Sequence, residues 1–272
     1  MKIPFVDHDP TKKEFERFRL VLSTYQDRSG QQTSQSGRTL PGWRDFERSV
    51  AVAFGGEAQE NKFIFDVLLP DRERSGVYFG ISCKMRRTLN DTKRTGRVTF
   101  ELSNSSGKFW QRLDTLGIHQ RNYKSRPVEV AGELLGQEKE WHEEVGLERG
   151  RVIDLSKSFY LALSWNMQGE YRLFKFALTL PKVSSLEWDF PSVTNSGERR
   201  AGRRLRGQDE MGTLFEWYGE SGGQLKYYPL ERNALWKSDI FCLEPLPDNW
   251  NEKHGILAKA RDYFPMCWKS LE

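Results

Sequence analysis

Two β-forming runs separated by a turn constrain this chain more than any other feature. Lys62 to Leu69 reads KFIFDVLL and Val77 to Lys84 reads VYFGISCK, both rich in β-branched and aromatic residues. Pro70 to Gly76, PDRERSG, is turn material between them. Neighbouring strands are the expectation. The first run carries a lone acid, Asp66, among apolar neighbours, and the second ends in Ser82-Cys83-Lys84. If the turn closes as expected, Asp66 and Lys84 fall at the same parity and their side chains converge at one edge of the sheet. Burying a carboxylate is costly unless a cation, a metal or a hydrogen-bond set meets it. Metal coordination and a local hydrogen bond at a sheet edge are the two readings for Asp66.

The remaining pattern places helices around this pair. Thr11-Lys12-Lys13-Glu14 has capping-box form, and Phe15, Phe18, Leu22 and Tyr25 follow at helical spacing, predicting a helix over 11–26. Residues 28–42 are polar and rich in Gly and Ser; with Gln31, Gln32, Gln35 and Arg38 they read as a tether or as a loop that orders on a partner. A second helix is expected over 42–54. Its positions 43, 47, 50 and 54 form one stripe, which sets Glu47 on an inward face with Trp43, Val50 and Phe54. A salt bridge and a catalytic role are both open for Glu47. Further expectations are a helix over 108–116, a polar surface helix over 129–148, strands over 158–165 and 171–180, a hairpin of 213–218 with 224–228, and an amphipathic helix over 252–264. This order predicts an α/β (α+β) fold with a mixed central β-sheet flanked by helices. It reads as a single domain over 1–272, with a core about 42–180 and a β-rich extension about 182–247.

Composition narrows the class. The 272 residues include nine Trp, nine Tyr and 17 Phe, enough to build a core and to argue against disorder. No apolar run approaches the roughly 18 residues that span a bilayer, so no membrane partner is expected. Met1 to Pro10 has no hydrophobic signal core, and three scattered cysteines (Cys83, Cys242, Cys267) argue against a disulfide scaffold or zinc knuckle. A reducing cytoplasm is the expected location.

The net charge of +4 is unevenly spread. Lys84, Arg86, Arg87, Lys93, Arg94 and Arg97 face a single Asp91, and residues 199–206 read RRAGRRLR. Either cluster alone reads as a solvated face; together they point to a polyanion. Arginine forks recognise guanine or phosphate, so Arg199, Arg200, Arg203, Arg204 and Arg206, with Gln208, are candidates for reading DNA. Arg86, Arg87, Lys93 and Arg94 are candidates for tracking its backbone. Lys108 opens the 108–116 helix, where a phosphate could sit; capping by Ser105 or Ser106 is the plainer reading there. Asp7-His8-Asp9, His119, His142 and His254 are read as structural or surface residues.

An acid on one strand and a lysine on the next suit phosphodiester hydrolysis: the carboxylate holds Mg²⁺ and the lysine orients the attacking water. Glu47, then Asp66, then a strand ending in Ser82-Cys83-Lys84 resembles the PD-(D/E)xK nuclease superfamily, in particular type II restriction endonucleases, over about residues 42–116. The resemblance implies Asp66 as main metal ligand, the backbone carbonyl of Cys83 as a second ligand and Lys84 positioning the nucleophile. Ser82 stands where the family has Asp or Glu. Some CCGG-recognising restriction enzymes share Ser-x-Lys and recruit a glutamate from the following segment, which makes Glu101 the natural substitute. That group separates its Asp and Lys more widely, so the idea is carried over and not membership. Glu101 or Glu47 then supplies the second carboxylate. The implied cofactor is Mg²⁺ and the implied partner is double-stranded DNA cut at a short specific site. A homodimer is implied too, with a cognate DNA methyltransferase in the same system but no stable complex. The alternative is a catalytically decayed or non-specific DNA-binding or repair nuclease module.

Overall fold

A computed structural model describes residues 2–33, 39–59, 64–145, 151–195 and 198–272, with backbone only for 193–195 and 198–201. The protein is mixed α/β. Its contacts divide it into two compact units. The first comprises Met1–Gly96, Val145–Leu178 and Glu231–Glu272; the second comprises Arg97–Glu144 and Thr179–Leu230.

The first unit is a mixed sheet with two helices on one face. The helix Lys12–Ser23 starts at the expected capping box, Thr11 Oγ1 accepting the Glu14 N–H (3.2 Å) and Glu14 Oε2 accepting the Thr11 N–H (2.8 Å). The helix Trp43–Phe54 ends at Gly55, whose φ of 77° needs no Cβ. Phe18, Leu22, Phe46, Val50 and Phe54 pack from these helices onto Val67, Leu69, Phe79, Ile81 and Cys83 of the sheet. Strand Val77–Arg86 is central. It runs antiparallel to Val67–Pro70 (Val67 opposite Ile81) and parallel to Phe159–Trp165 (Lys84 opposite Ala162). Glu170–Ala177 continues the sheet antiparallel to Phe159–Trp165. The opposite face carries a smaller cluster of Phe65, Leu68 and Ile153. Gly80 permits it: a Cβ there would lie 2.4 Å from the Phe65 ring.

The second unit holds a five-stranded antiparallel sheet in the order Glu187–Asp189, Leu205–Asp209, Gly212–Trp217, Gln224–Tyr227, Phe100–Asn104. The expected 213–228 hairpin is its centre. One cross-strand row is Trp188, Gly207, Phe215, Tyr227 and Phe100, with rings stacked at 5.8 Å (Trp188–Phe215) and 4.7 Å (Phe215–Tyr227). The adjacent row, on the other face, alternates in charge: Asp189, Arg206, Glu216, Lys226, Glu101.

Four expectations need correction. The strand expected over 62–69 is Val67–Pro70, with Asp66 just before it; Glu60 to Phe63 lie outside the described residues. Trp43 is exposed, because the buried face of its helix is carried by Phe46, Val50, Ala53 and Phe54. The helix expected as polar surface over 129–148 is Pro127–Val145, and it buries Val130, Ala131, Leu134 and Leu135 at i, i+4 spacing. Ser105 precedes the helix Ser106–Thr115 but its side chain makes no cap bond. Among the described residues, no helix is long and apolar enough to cross a membrane.

Candidate active site

The site grows out of the point where the shorter strand gives way. The Asp66 N–H donates to the Ile81 carbonyl (2.9 Å) and the Asp66 carbonyl accepts from Gln59 (2.8 Å). Among the described residues the paired strand begins at Val67, just after Asp66, and Cys83 presents its N–H to Asp66. Asp66 meets it with its side chain, Oδ2 accepting the Cys83 N–H at 2.7 Å. One carboxylate oxygen is thus fixed to the main chain of the residue before Lys84. In an extended strand the N–H and C=O of a residue point to the same edge, so the Cys83 carbonyl faces the rim that Asp66 occupies.

Glu47 comes to this rim from the helix Trp43–Phe54 and is half-buried. Burial, and then the charge of Asp66, raise its pKa to about 8, against the opposing fields of Lys84, Arg44 and Arg48. Asp66 is also held above the ordinary carboxylate range by burial; the Lys84 ammonium is the largest opposing influence, followed by the Cys83 N–H. Burial, Asp66 and Glu47 together push the Cys83 thiol up, while Lys84 pulls it down. Cys83 is buried with the core residues Phe79 and Ile81, and its thiol stays protonated and inert. Glu47, Asp66 and Lys84 therefore share one electrostatic neighbourhood. Among the described residues, no ion pair within 4.0 Å closes Lys84 onto either carboxylate.

The donors here are oxygen atoms, the kind a hard divalent cation takes. Burial raises the proton affinity of both carboxylates, and the charge of Asp66 raises that of Glu47 further, as expected where negative charge outweighs its compensation. Mg²⁺ takes oxygen ligands, keeps several waters and needs few protein groups. Asp66, Glu47 and the Cys83 carbonyl are of the right kind. Among the described residues, no cluster of three or more His, Cys, Asp or Glu forms a ready cage.

The remaining candidates each have their own setting. Ser82 is 2% exposed and sits opposite Tyr160 in the parallel ladder. Glu101 lies on Phe100–Asn104 in the second unit, opposite Lys226. Among the basic residues, Arg87 is exposed and meets the Met167 sulfur, Lys93 pairs with Glu170 (2.6 Å) and Arg94 with Asp91 (2.8 Å). Arg86 is half-buried. Lys108 stands over the Trp141 ring at 5.3 Å. Arg203 pairs with Glu220 (3.6 Å), and Arg204 and Arg206 with Glu216 (3.9 and 3.0 Å); Gln208 reaches Asp189 at 3.4 Å. The side chains of Arg199 and Arg200, and residues Gln35 and Arg38, lie outside the described residues. Asp7 and His8 are structural, Asp7 accepting the Ile3 N–H (2.8 Å) and His8 pairing with Glu14 (3.0 Å). His119 meets Asp114 at 2.8 Å on the surface.

Sequence reasoning missed Glu216, which is only 8% exposed and accepts from Tyr218 (3.0 Å), Tyr228 (2.8 Å) and Arg206 (3.0 Å). Its alternation with Phe215 and Trp217 in a strand was the available signal. Arg44 and Arg48 were also missed; flanking Glu47 in the sequence, they were visible as its nearest cations. A cavity of about 410 Å³ opens at the hairpin end of the two strands, and its four cations (Lys2, Arg72, Arg74, Lys157) are matched by four acids (Asp7, Asp71, Glu73, Asp154). That balance favours no charged ligand.

No known protein family, curated protein or solved structure matches the chain.

Proposed function

We propose that this protein is a Mg²⁺-dependent endonuclease that hydrolyses phosphodiester bonds of double-stranded DNA at a short specific sequence, in the manner of a type II restriction enzyme. The observation that carries this reading is the shared neighbourhood of Glu47, Asp66 and Lys84 around the Cys83 main chain. A central strand with one parallel and one antiparallel neighbour, packed under the Glu47 helix, supports a restriction-endonuclease-like core.

Asp66, Glu47 and the Cys83 carbonyl would hold the ion. When bound, it polarises a phosphoryl oxygen and lowers the pKa of a water. Lys84 donates to the nucleophile and offsets the negative charge that builds on the phosphorus centre. The Cys83 N–H holds Asp66 in one orientation, so little reorganisation is needed when substrate arrives. Glu47 takes the place of the acid that Ser82 lacks. The second unit contributes the exposed arginines Arg203 and Arg204, whose surface pairs are worth about 0–1 kcal/mol and readily exchange for phosphate. A two-fold dimer would match a palindromic site, and a DNA methyltransferase would protect it.

The buried Ser82 favours one second reading, a DNA-binding module whose catalytic set has decayed or a nuclease with looser preference. Plasmid digestion with Mg²⁺ separates them: discrete fragments support the restriction enzyme, smearing the looser nuclease, and a gel shift without cutting the decayed module. Lys84→Ala is expected to lower cleavage at least about a hundredfold while DNA affinity is kept; undiminished cutting would exclude this site.

A further inference from the structure

We infer that Trp43 and Arg44 form a stacking platform for a nucleobase of the strand being cut, adjacent to the scissile phosphate; the inference rests on the nuclease reading above. Of the nine tryptophans, Trp43 alone is exposed, at 50%, the other eight being buried or half-buried. A single exposed apolar residue is ordinary on a protein surface. The setting of this one is not. Trp43 opens the helix that bears Glu47, one turn (about 5.4 Å) ahead of it on the same stripe. The Arg44 guanidinium lies 4.8 Å from the indole centroid. The fields of Arg44 and Arg48 reach Glu47, which sets both cations near that carboxylate.

The helix start is also held firmly. Buried Asp45 accepts the N–H groups of Gly42 (2.8 Å) and Gln31 (3.0 Å). Gln31 in turn accepts the Arg44 N–H through its side-chain oxygen (3.2 Å). Gly42 is needed for this approach, since a Cβ would meet the Gln31 side chain at 2.5 Å. The indole is thus presented to solvent from a fixed backbone, which lowers the ordering cost of binding.

A π-face beside guanidinium groups matches a nucleotide in both its parts, base against ring and phosphate against cation. A base inside a duplex offers only its edges, so the platform fits a base that has left the stack. The substrate class is therefore DNA that is locally unstacked next to the cut.

The test compares wild type, Trp43→Ala and Trp43→Tyr in Mg²⁺-dependent cleavage of plasmid DNA across DNA concentrations, and in binding of the same DNA with Ca²⁺ replacing Mg²⁺. Trp43→Ala is expected to raise KM and the dissociation constant about tenfold or more, with a smaller loss in kcat. Trp43→Tyr, which keeps a ring, is expected to recover most of that loss. Unchanged KM in Trp43→Ala, or a tyrosine variant no better than alanine, overturns the platform and leaves the nuclease reading standing. A wild-type protein that neither cuts nor binds DNA overturns both.

Discussion

Glu47→Gln in the metal-free protein tests the electrostatics of the site without reference to activity. A glutamate titrates near 4.5 when unperturbed, and burial beside Asp66 raises Glu47 to about 8. Between these values the folded protein binds a proton that the unfolded chain has released. Stability therefore falls as pH rises through this window and levels off above it. The full difference corresponds to roughly 5 kcal/mol, at about 1.4 kcal/mol for each tenfold change in proton affinity. Solvent reaches this half-buried carboxylate, and screening reduces the expected loss to about 2–3 kcal/mol. The glutamine side chain carries no charge at any pH, so the variant should lack this slope. It should match wild type near pH 5 and exceed it near pH 8, by about 5–10 °C in Tm. Thermal unfolding in EDTA across that range measures both curves. Parallel curves for wild type and Glu47→Gln would refute the argument that Glu47 is buried against a second carboxylate.

Other expected outcomes follow from the same geometry. Asp66→Ala leaves the Cys83 N–H without its acceptor, and urea unfolding should show a loss of about 1–3 kcal/mol together with the loss of Mg²⁺-dependent cleavage. Gly80→Ala drives a methyl group to 2.4 Å from the Phe65 ring and should cost about 1–3 kcal/mol by the same measurement. Replacing Arg203, Arg204 and Arg206 by alanine should weaken DNA binding and flatten its dependence on salt, read by titration at several ionic strengths.

Local signals carried the elements well and their limits poorly. The capping box at Thr11 and Glu14 marked a helix start because both partners lie within one turn. The turn at Pro70 to Gly76 marked the strand pair for the same reason. Asp66 could be tied to Lys84 by parity alone, but its position just before the paired strand could not. Whether an acid in an apolar run pairs as strand or caps a neighbour depends on where the partner strand's N–H groups point. Trp43 looked inward because spacing defines a stripe and cannot say where the sheet beneath it stops. The helix Pro127–Val145 looked polar because its many acids outweighed a narrow stripe of Val130, Ala131, Leu134 and Leu135. Glu101 was chosen for its distance along the chain from Lys84; that its strand pairs with Gln224–Tyr227, far away in sequence, could not be read from that distance.

The path of the chain has a consequence for making the protein. It enters the first unit, crosses to the second, returns, crosses again and returns once more. Val77–Arg86 must wait for Phe159–Trp165 to emerge from synthesis before its parallel side is covered. Every single cut between Gly96 and Glu231 divides the first unit, and any cut between Arg97 and Leu230 divides both. Expression of either half alone would yield a chain with an open sheet edge and no finished interior, so a smaller working fragment has to be built by rejoining segments, not by shortening from one end.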